Sequence, residues 1–168
     1  MARIYISLGS NIEAEAHIRK GLADLASHYR NLTISRVFES EAVGFEGDNF
    51  LNLVAQADTD QSIAEVVATF KAIEQAHGRA KGAKKFAPRT LDLDLLLYDE
   101  IQCENPVVLP RPEIYHNAFV LWPLAELAPE CVPPGQPDTL ATLWQQYDKT
   151  QQQLWPVAFD WPQHSSED

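Results

Sequence analysis

A chain of 168 residues is the size of one ordinary domain, long enough to bury a core without disulfides or a structural metal. Its 45% hydrophobic and 22% charged residues are those of a soluble globular protein, and no apolar run approaches the roughly 18 residues of a membrane span. A net charge of -11 argues against a general nucleic-acid binder, which needs a broad basic surface to displace counterions from phosphates.

The stretch RIYISLG, from Arg3, alternates as a first strand, and Asn11 is placed to cap a helix over about residues 12 to 28, with Ile12, Ile18, Leu22 and Leu25 on its apolar side. LTISRVFES alternates again as one second strand, residues 40 to 48 read as a loop, and NFLNLVAQADT is a third strand. SIAE, at 62 to 65, fits a capping box and opens a second helix that runs to about His77 and stops at Gly78. After a basic loop, TLDLDLLLYDE reads as a fourth strand. The order β-α-β-β-α-β predicts an α/β (α+β) sandwich of the ferredoxin-like type, an antiparallel sheet covered by two helices. HNAFVLWPLAELAP and TLATLWQQYDK suggest two further short helices, a C-terminal elaboration packed on that core. The expected organisation is a single domain over 1–160 and a frayed tail over 161–168. The N-terminus lacks the apolar run of a signal peptide, so a cytoplasmic protein is expected. Cys103 and Cys131 have neither the spacing of a zinc site nor that of a disulfide framework.

Two local features carry chemistry. Five of the 13 Lys and Arg residues, namely Arg79, Lys81, Lys84, Lys85 and Arg89, fall between residues 79 and 89, where there is no Asp or Glu. One concentrated basic segment in an acidic chain reads as a local anion site. Directly after it come Asp92 and Asp94, two apart in a strand pattern, so that both carboxylates point to one face. The plain alternative is a solvated strand face with Leu91, Leu93 and Leu95 turned to the core. Adjacent like charges repel, however, and Asp is depleted in strands, so the pair calls for a partner such as Mg²⁺, which takes one or two carboxylates together with substrate phosphates. Cations on one side and metal-binding carboxylates on the other suit a triphosphate.

APRTLDLDLLLYD resembles the signature of the 6-hydroxymethyl-7,8-dihydropterin pyrophosphokinase family, and ISLGSN, FLN, HGR and FVLWPLAELAPE occur in that family's order and near its spacing. The resemblance implies the ferredoxin-like fold and transfer of pyrophosphate from ATP to a dihydropterin in folate biosynthesis. By position it implies that Asp92 and Asp94 hold two Mg²⁺ ions and that Arg79 and Arg89 act on the phosphates. Glu74, Lys81, Lys85, Arg89 and Leu95 would line the ATP site. Ser40, Val43, Gly44, Phe50, Asn52, Phe86 and Phe119 would form the pterin site, Phe119 stacking on the ring. The expected partners are these two small molecules only, with no nucleic acid, no membrane and a monomeric chain. The sequence departs from the family at Arg111, where a His is common, and at Asn117, where an Arg is common. Arg111 is taken as a replacement cation for ATP. The departures keep open a pterin- or nucleotide-binding paralogue with weak or no turnover. A metal-dependent nucleotidyl transferase or nuclease would share the carboxylate strand, and the charge of the chain disfavours it.

Overall fold

The computed structural model describes residues 1–41, 49–78 and 90–161. Strand β1 (Ala2–Ser10) leads to helix α1 (Ala14–His28), then to β2 (Arg30–Ile34), β3 (Val37–Ser40) and β4 (Phe50–Thr59). Helix α2 (Ile63–Ala76) and strand β5 (Asp92–Tyr98) complete the βαββαβ core. A 3-10 turn at Pro112–Tyr115, helices α3 (Ala118–Leu127) and α4 (Leu140–Gln146) and strand β6 (Leu154–Val157) follow.

The sheet runs β5-β1-β4-β3-β6, with β2 also on β4, and every pairing is antiparallel. The expected second strand is therefore two. Ser35 breaks it: its N–H donates to Val54 O at 2.9 Å, while its Oγ accepts from Val54 N–H at 3.0 Å, so a side chain stands in for a backbone acceptor and the ladder shifts. Strand β6 was not anticipated. It lies on β3 at the edge, where Pro156, opposite Phe38, is tolerated because no further strand needs its missing N–H.

Alternation along the strands divides the side chains between two cores. Ile4, Ile6 and Leu8 of β1, Leu53, Ala55 and Ala57 of β4, and Leu93 and Leu95 of β5 pack with Ile18, Leu22 and Leu25 of α1 and Val66, Phe70 and Ile73 of α2. The spacing of these helix residues is that of one apolar face. On the opposite face Tyr5, Val54, Leu96 and Leu97 pack with Val120, Leu121 and Leu124 of α3 and Leu140 of α4. A register shift between Tyr5 and Ile6 lets both Leu96 and Leu97 join this second core. Phe159 and Trp161 also pack against the first core.

Helix α2 has the expected capping box, with Glu65 N–H donating to Ser62 Oγ at 3.2 Å and Ser62 N–H to Glu65 Oε1 at 2.8 Å. Helix α1 differs from expectation. It begins at Ala14 behind Glu13, which has a left-handed φ of 43°, because Asn11 is buried at the end of β1 and the chain turns after it. Gly21 of α1 lies against Leu91, whose Cδ2 would be 2.9 Å from a Cβ at that position, and this close approach seats the residue that leads into β5.

The two helices are also joined by a polar chain. His77, at the C-terminal end of α2, has its Nδ1 2.8 Å from Nδ1 of His17 and its Nε2 3.1 Å from Asp24 Oδ2, both partners lying on α1. Two Nδ1 atoms that face each other need one proton between them; a second proton leaves two donors opposed. Burial, and then the neighbouring His77, hold His17 below the usual imidazole range; Glu13 acts against the shift and Lys20 with it. The unfolded chain thus binds more protons than the folded one as pH falls through about 6.5, and stability falls in that direction. Urea unfolding midpoints should decline from pH 7.5 to 5.5, and His17→Gln should flatten that slope. An unchanged slope in the variant would rule out His17 as the titrating group.

Candidate active site

The register of four strands builds the candidate site. Gly9 of β1 is paired with Asp92 of β5 on one side and with Asn52 of β4 on the other, and Asn52 is paired in turn with Phe38 of β3. Residues directly opposite one another in antiparallel strands share a face. Asp92, Gly9, Asn52 and Phe38 therefore form one row across the sheet, and Asp94, Ser7 and Val54 form the next. This is the face on which α3 packs, since the ring of Phe38 lies 4.5 Å from that of Trp122. The side chain of Asn52 reaches over Gly9: a Cβ on Gly9 would lie 2.8 Å from Asn52 Oδ1. Its Nδ2 donates to Ser40 Oγ at 3.3 Å. The buried amide is thus turned so that it borders the carboxylate row.

Asp94 is half exposed, with 50% of its side chain open to solvent. Arg111 lies alongside. Its backbone N–H donates to Leu96 O and its Nε to Leu95 O, both at 3.0 Å, and its Nη1 is 3.8 Å from Asp94 Oδ1 and 3.7 Å from Glu113 Oε2. Glu74 of α2 accepts from Leu93 N–H at 2.8 Å through Oε2, tying the helix to β5 beside the carboxylates. The donor set suits Mg²⁺. Two hard carboxylates stand on one face, and the described residues contain no group of three or more His, Cys, Asp or Glu side chains able to hold a metal, so remaining positions are left to phosphate oxygens and water. A closed structural site would need more protein ligands. A cleft of about 290 Å³ lined by His28, Arg30, Asp58 and Asp60 lies at the other end of β4 and shares no residue with this row.

The sequence profile described as 7,8-dihydro-6-hydroxymethylpterin-pyrophosphokinase (HPPK) matches residues 5–129. The chain belongs to this family. A 2-amino-4-hydroxy-6-hydroxymethyldihydropteridine pyrophosphokinase of Aquifex aeolicus is 36% identical over 137 residues, covering 80% of this chain and 85% of that relative. The protein of the same name in Synechocystis is 35% identical over 158 residues, covering 91% and 79%. A Plasmodium falciparum HPPK-DHPS crystal structure with SDX-DHP superposes with a TM-score of 0.66 at 13% identity, over 88% of this chain and 44% of that one. This last likeness shows the fold, and this chain spans less than half of that longer protein.

Within this HPPK chain the residues expected from sequence fall into three groups. Asp92, Asp94, Asn52 and Ser40 come together on one face, and Phe50, half-buried, is paired with Ser40. Phe119 is half-buried in the first turn of α3, packed against the second core. Leu95 faces the other way: its side chain is in the first core, so alternation turns it from the carboxylates and only its backbone is near them. Asn117 is engaged elsewhere, its Oδ1 accepting from Gln152 Nε2 at 3.1 Å while Gln152 Oε1 accepts from Ala118 N–H at 2.8 Å. Val43, Gly44, Arg79, Lys81, Lys85, Phe86 and Arg89 lie outside the described residues.

The β1 members of the two rows, Gly9 and Ser7, were not singled out from sequence, although both belong to the ISLGSN stretch that carries the resemblance. Only register shows that Gly9 separates Asp92 from Asn52. Gly9→Ala is expected to displace the Asn52 amide and raise the KM for the pterin by about tenfold, with a loss of stability of about 1–3 kcal/mol from overpacking. A pterin KM equal to the parent's would show that the Asn52 amide takes no part in binding.

Proposed function

We propose that this pyrophosphokinase of folate biosynthesis works over the Asp92–Asp94 face of its sheet, moving the β,γ-pyrophosphoryl group of ATP to the hydroxymethyl oxygen of 6-hydroxymethyl-7,8-dihydropterin. The acceptor oxygen forms a bond to the β-phosphorus, the α,β bond breaks, and AMP leaves. The observation that carries this reading is the cross-strand row, in which a buried amide and an aspartate flank Gly9 on one face. A flat heteroaromatic ring edged with donors and acceptors suits Asn52, which offers both. Phe119, Phe50, Ser40 and the segment holding Val43 and Gly44 complete the pterin side, and Phe86 closes it.

Asp92 and Asp94 would hold the Mg²⁺, two ions in this proposal, which supplies charge neutralisation at the phosphates and at the acceptor hydroxyl. The chain's own work is positioning and electrostatics. Asp94, half exposed, takes the proton of the acceptor, while Arg79 and Arg89 steady the transferring group and Lys81 and Lys85 draw in the triphosphate. The sequence supports these cationic roles, since that basic segment abuts Asp92. Glu74 sets the position of β5, and Arg111 places a fixed charge at its edge, beside the backbone of Leu95. No covalent intermediate is needed. The protein is proposed to act as a cytoplasmic monomer formed by a single domain over 1–160, with no nucleic-acid or membrane partner; its net charge of -11 supports the first exclusion. Among the described residues no helix is long and apolar enough to cross a membrane.

The reading is tested by phosphorus NMR of the protein with ATP, Mg²⁺ and the hydroxymethyldihydropterin. AMP and a pyrophosphorylated pterin are expected. Unchanged ATP in a sample that still binds the pterin would favour a binding paralogue, a reading for which the departures at Arg111 and Asn117 speak. Asp94→Ala should lower turnover by about two to three orders of magnitude, as when one preorganised electrostatic contact is lost from a reacting centre, and leave pterin binding measurable by calorimetry. Near-normal turnover in that variant would remove Asp94 from the metal site.

A further inference from the structure

Arg111 is hydrogen-bonded to the backbone of β5 and more loosely paired with two carboxylates. Its peptide N–H and its Nε are committed to the carbonyls of Leu96 and Leu95, which fixes the base of the guanidinium and leaves the Nη end as the part that reaches Asp94 and Glu113. At 3.8 and 3.7 Å these contacts are ion pairs of loose geometry, and the guanidinium, 21% exposed at its side chain, is charged at every physiological pH. A permanent cation therefore stands beside one of the two carboxylates that the proposed function gives to the metal.

We propose that Arg111 is a resident counter-cation for Asp94, whose charge a divalent ion arriving alone must overcome and a nucleotide's phosphates neutralise when ion and nucleotide arrive together. The inference rests on the metal reading of Asp94. Its physical basis is competition: the Nη end and a divalent ion both seek Asp94, and like charges a few ångströms apart repel. A triphosphate removes the conflict, because its anionic oxygens give the guanidinium a second partner while Nε keeps the carbonyl of Leu95. Metal and nucleotide then bind with positive coupling, each improving the other's affinity by the same factor. An imidazole at this position, neutral over much of the physiological range, would compete less.

The test is a titration of Mn²⁺ into the full chain, free Mn²⁺ being read by electron paramagnetic resonance, with and without the non-transferable α,β-methylene analogue of ATP. Without nucleotide, Arg111→Met should bind Mn²⁺ about fivefold tighter than the parent, the size expected when a single charge at this separation is removed from a water-exposed site. With the analogue the advantage should vanish or reverse. Arg111→Lys retains the charge and lacks Nε, and should stay near the parent in Mn²⁺ affinity; a gain equal to that of Arg111→Met would assign the effect to the lost tether and overturn the proposal. Unchanged or weaker Mn²⁺ binding by Arg111→Met would overturn it as well. Asp94→Asn separates the two levels. If it weakens Mn²⁺ binding while Arg111→Met changes nothing, only the role of Arg111 fails; if it leaves Mn²⁺ binding intact, the metal reading fails and this proposal with it.

Discussion

Gly9 stands between Asp92 and Asn52 in one cross-strand row, and it contributes by having no side chain. The antiparallel ladder sets Asp92 on one flank and Asn52 on the other, about 5 Å away in each direction as strand spacing requires. A methyl group at this point would occupy the space that Asn52 Oδ1 now fills. The Asn52 amide can lean over the central strand toward the carboxylate side only because that strand is bare at Gly9. A shift of one residue in either ladder would send Asp92 or Asn52 to the opposite face. Register is therefore the constraint on which the site depends.

The first core keeps that register. One face of the sheet is closed by α1 and α2 over a continuous apolar layer, and truncating a buried leucine such as Leu8 or Leu93 costs about 2–5 kcal/mol in comparable cores. A slip of β5 against β1 would move Leu93 and Leu95 out of this layer and bring carboxylates into it. The hydrophobic face thus holds the polar face in place. The second face is divided along its length. Beyond the register shift at Tyr5 and Ile6, Leu96 and Leu97 rejoin an apolar layer under α3 and α4, while before it the same face carries Asp92 and Asp94.

The alternation of β1, β4 and β5 was plain in the sequence because each strand has a core face of aliphatic residues, and the capping box of α2 was plain because Ser62 and Glu65 serve each other locally. The break at Ser35 was not, since a serine that substitutes its hydroxyl for a backbone acceptor looks in sequence like any polar position of a strand. Strand β6 was hidden for a related reason: LWPV contains a proline and is four residues long, and only an exposed edge makes it a strand. The aspartates of the site were legible through their conflict with the leucines around them. Asn52, Phe119 and Leu95 were singled out by resemblance alone, and for Leu95 the fold turns the side chain into the core, which alternation along β5 decides and a motif match does not. Gly9 and Ser7 were in view as part of a motif, but their place between two partners is long-range information.

β5 is also an end strand, and its outer hydrogen-bonding groups would be open to any other chain with a free edge. Here they are engaged by side chains and by a turn of the same molecule. Glu74 takes the outward N–H of Leu93, and Arg111 takes the carbonyls of Leu95 and Leu96. The same two side chains that border the carboxylates thus also occupy outward groups of the edge strand. One residue, Arg111, thus serves two neighbours with different atoms: its backbone N–H and Nε close the strand edge, and its Nη end faces Asp94 and Glu113.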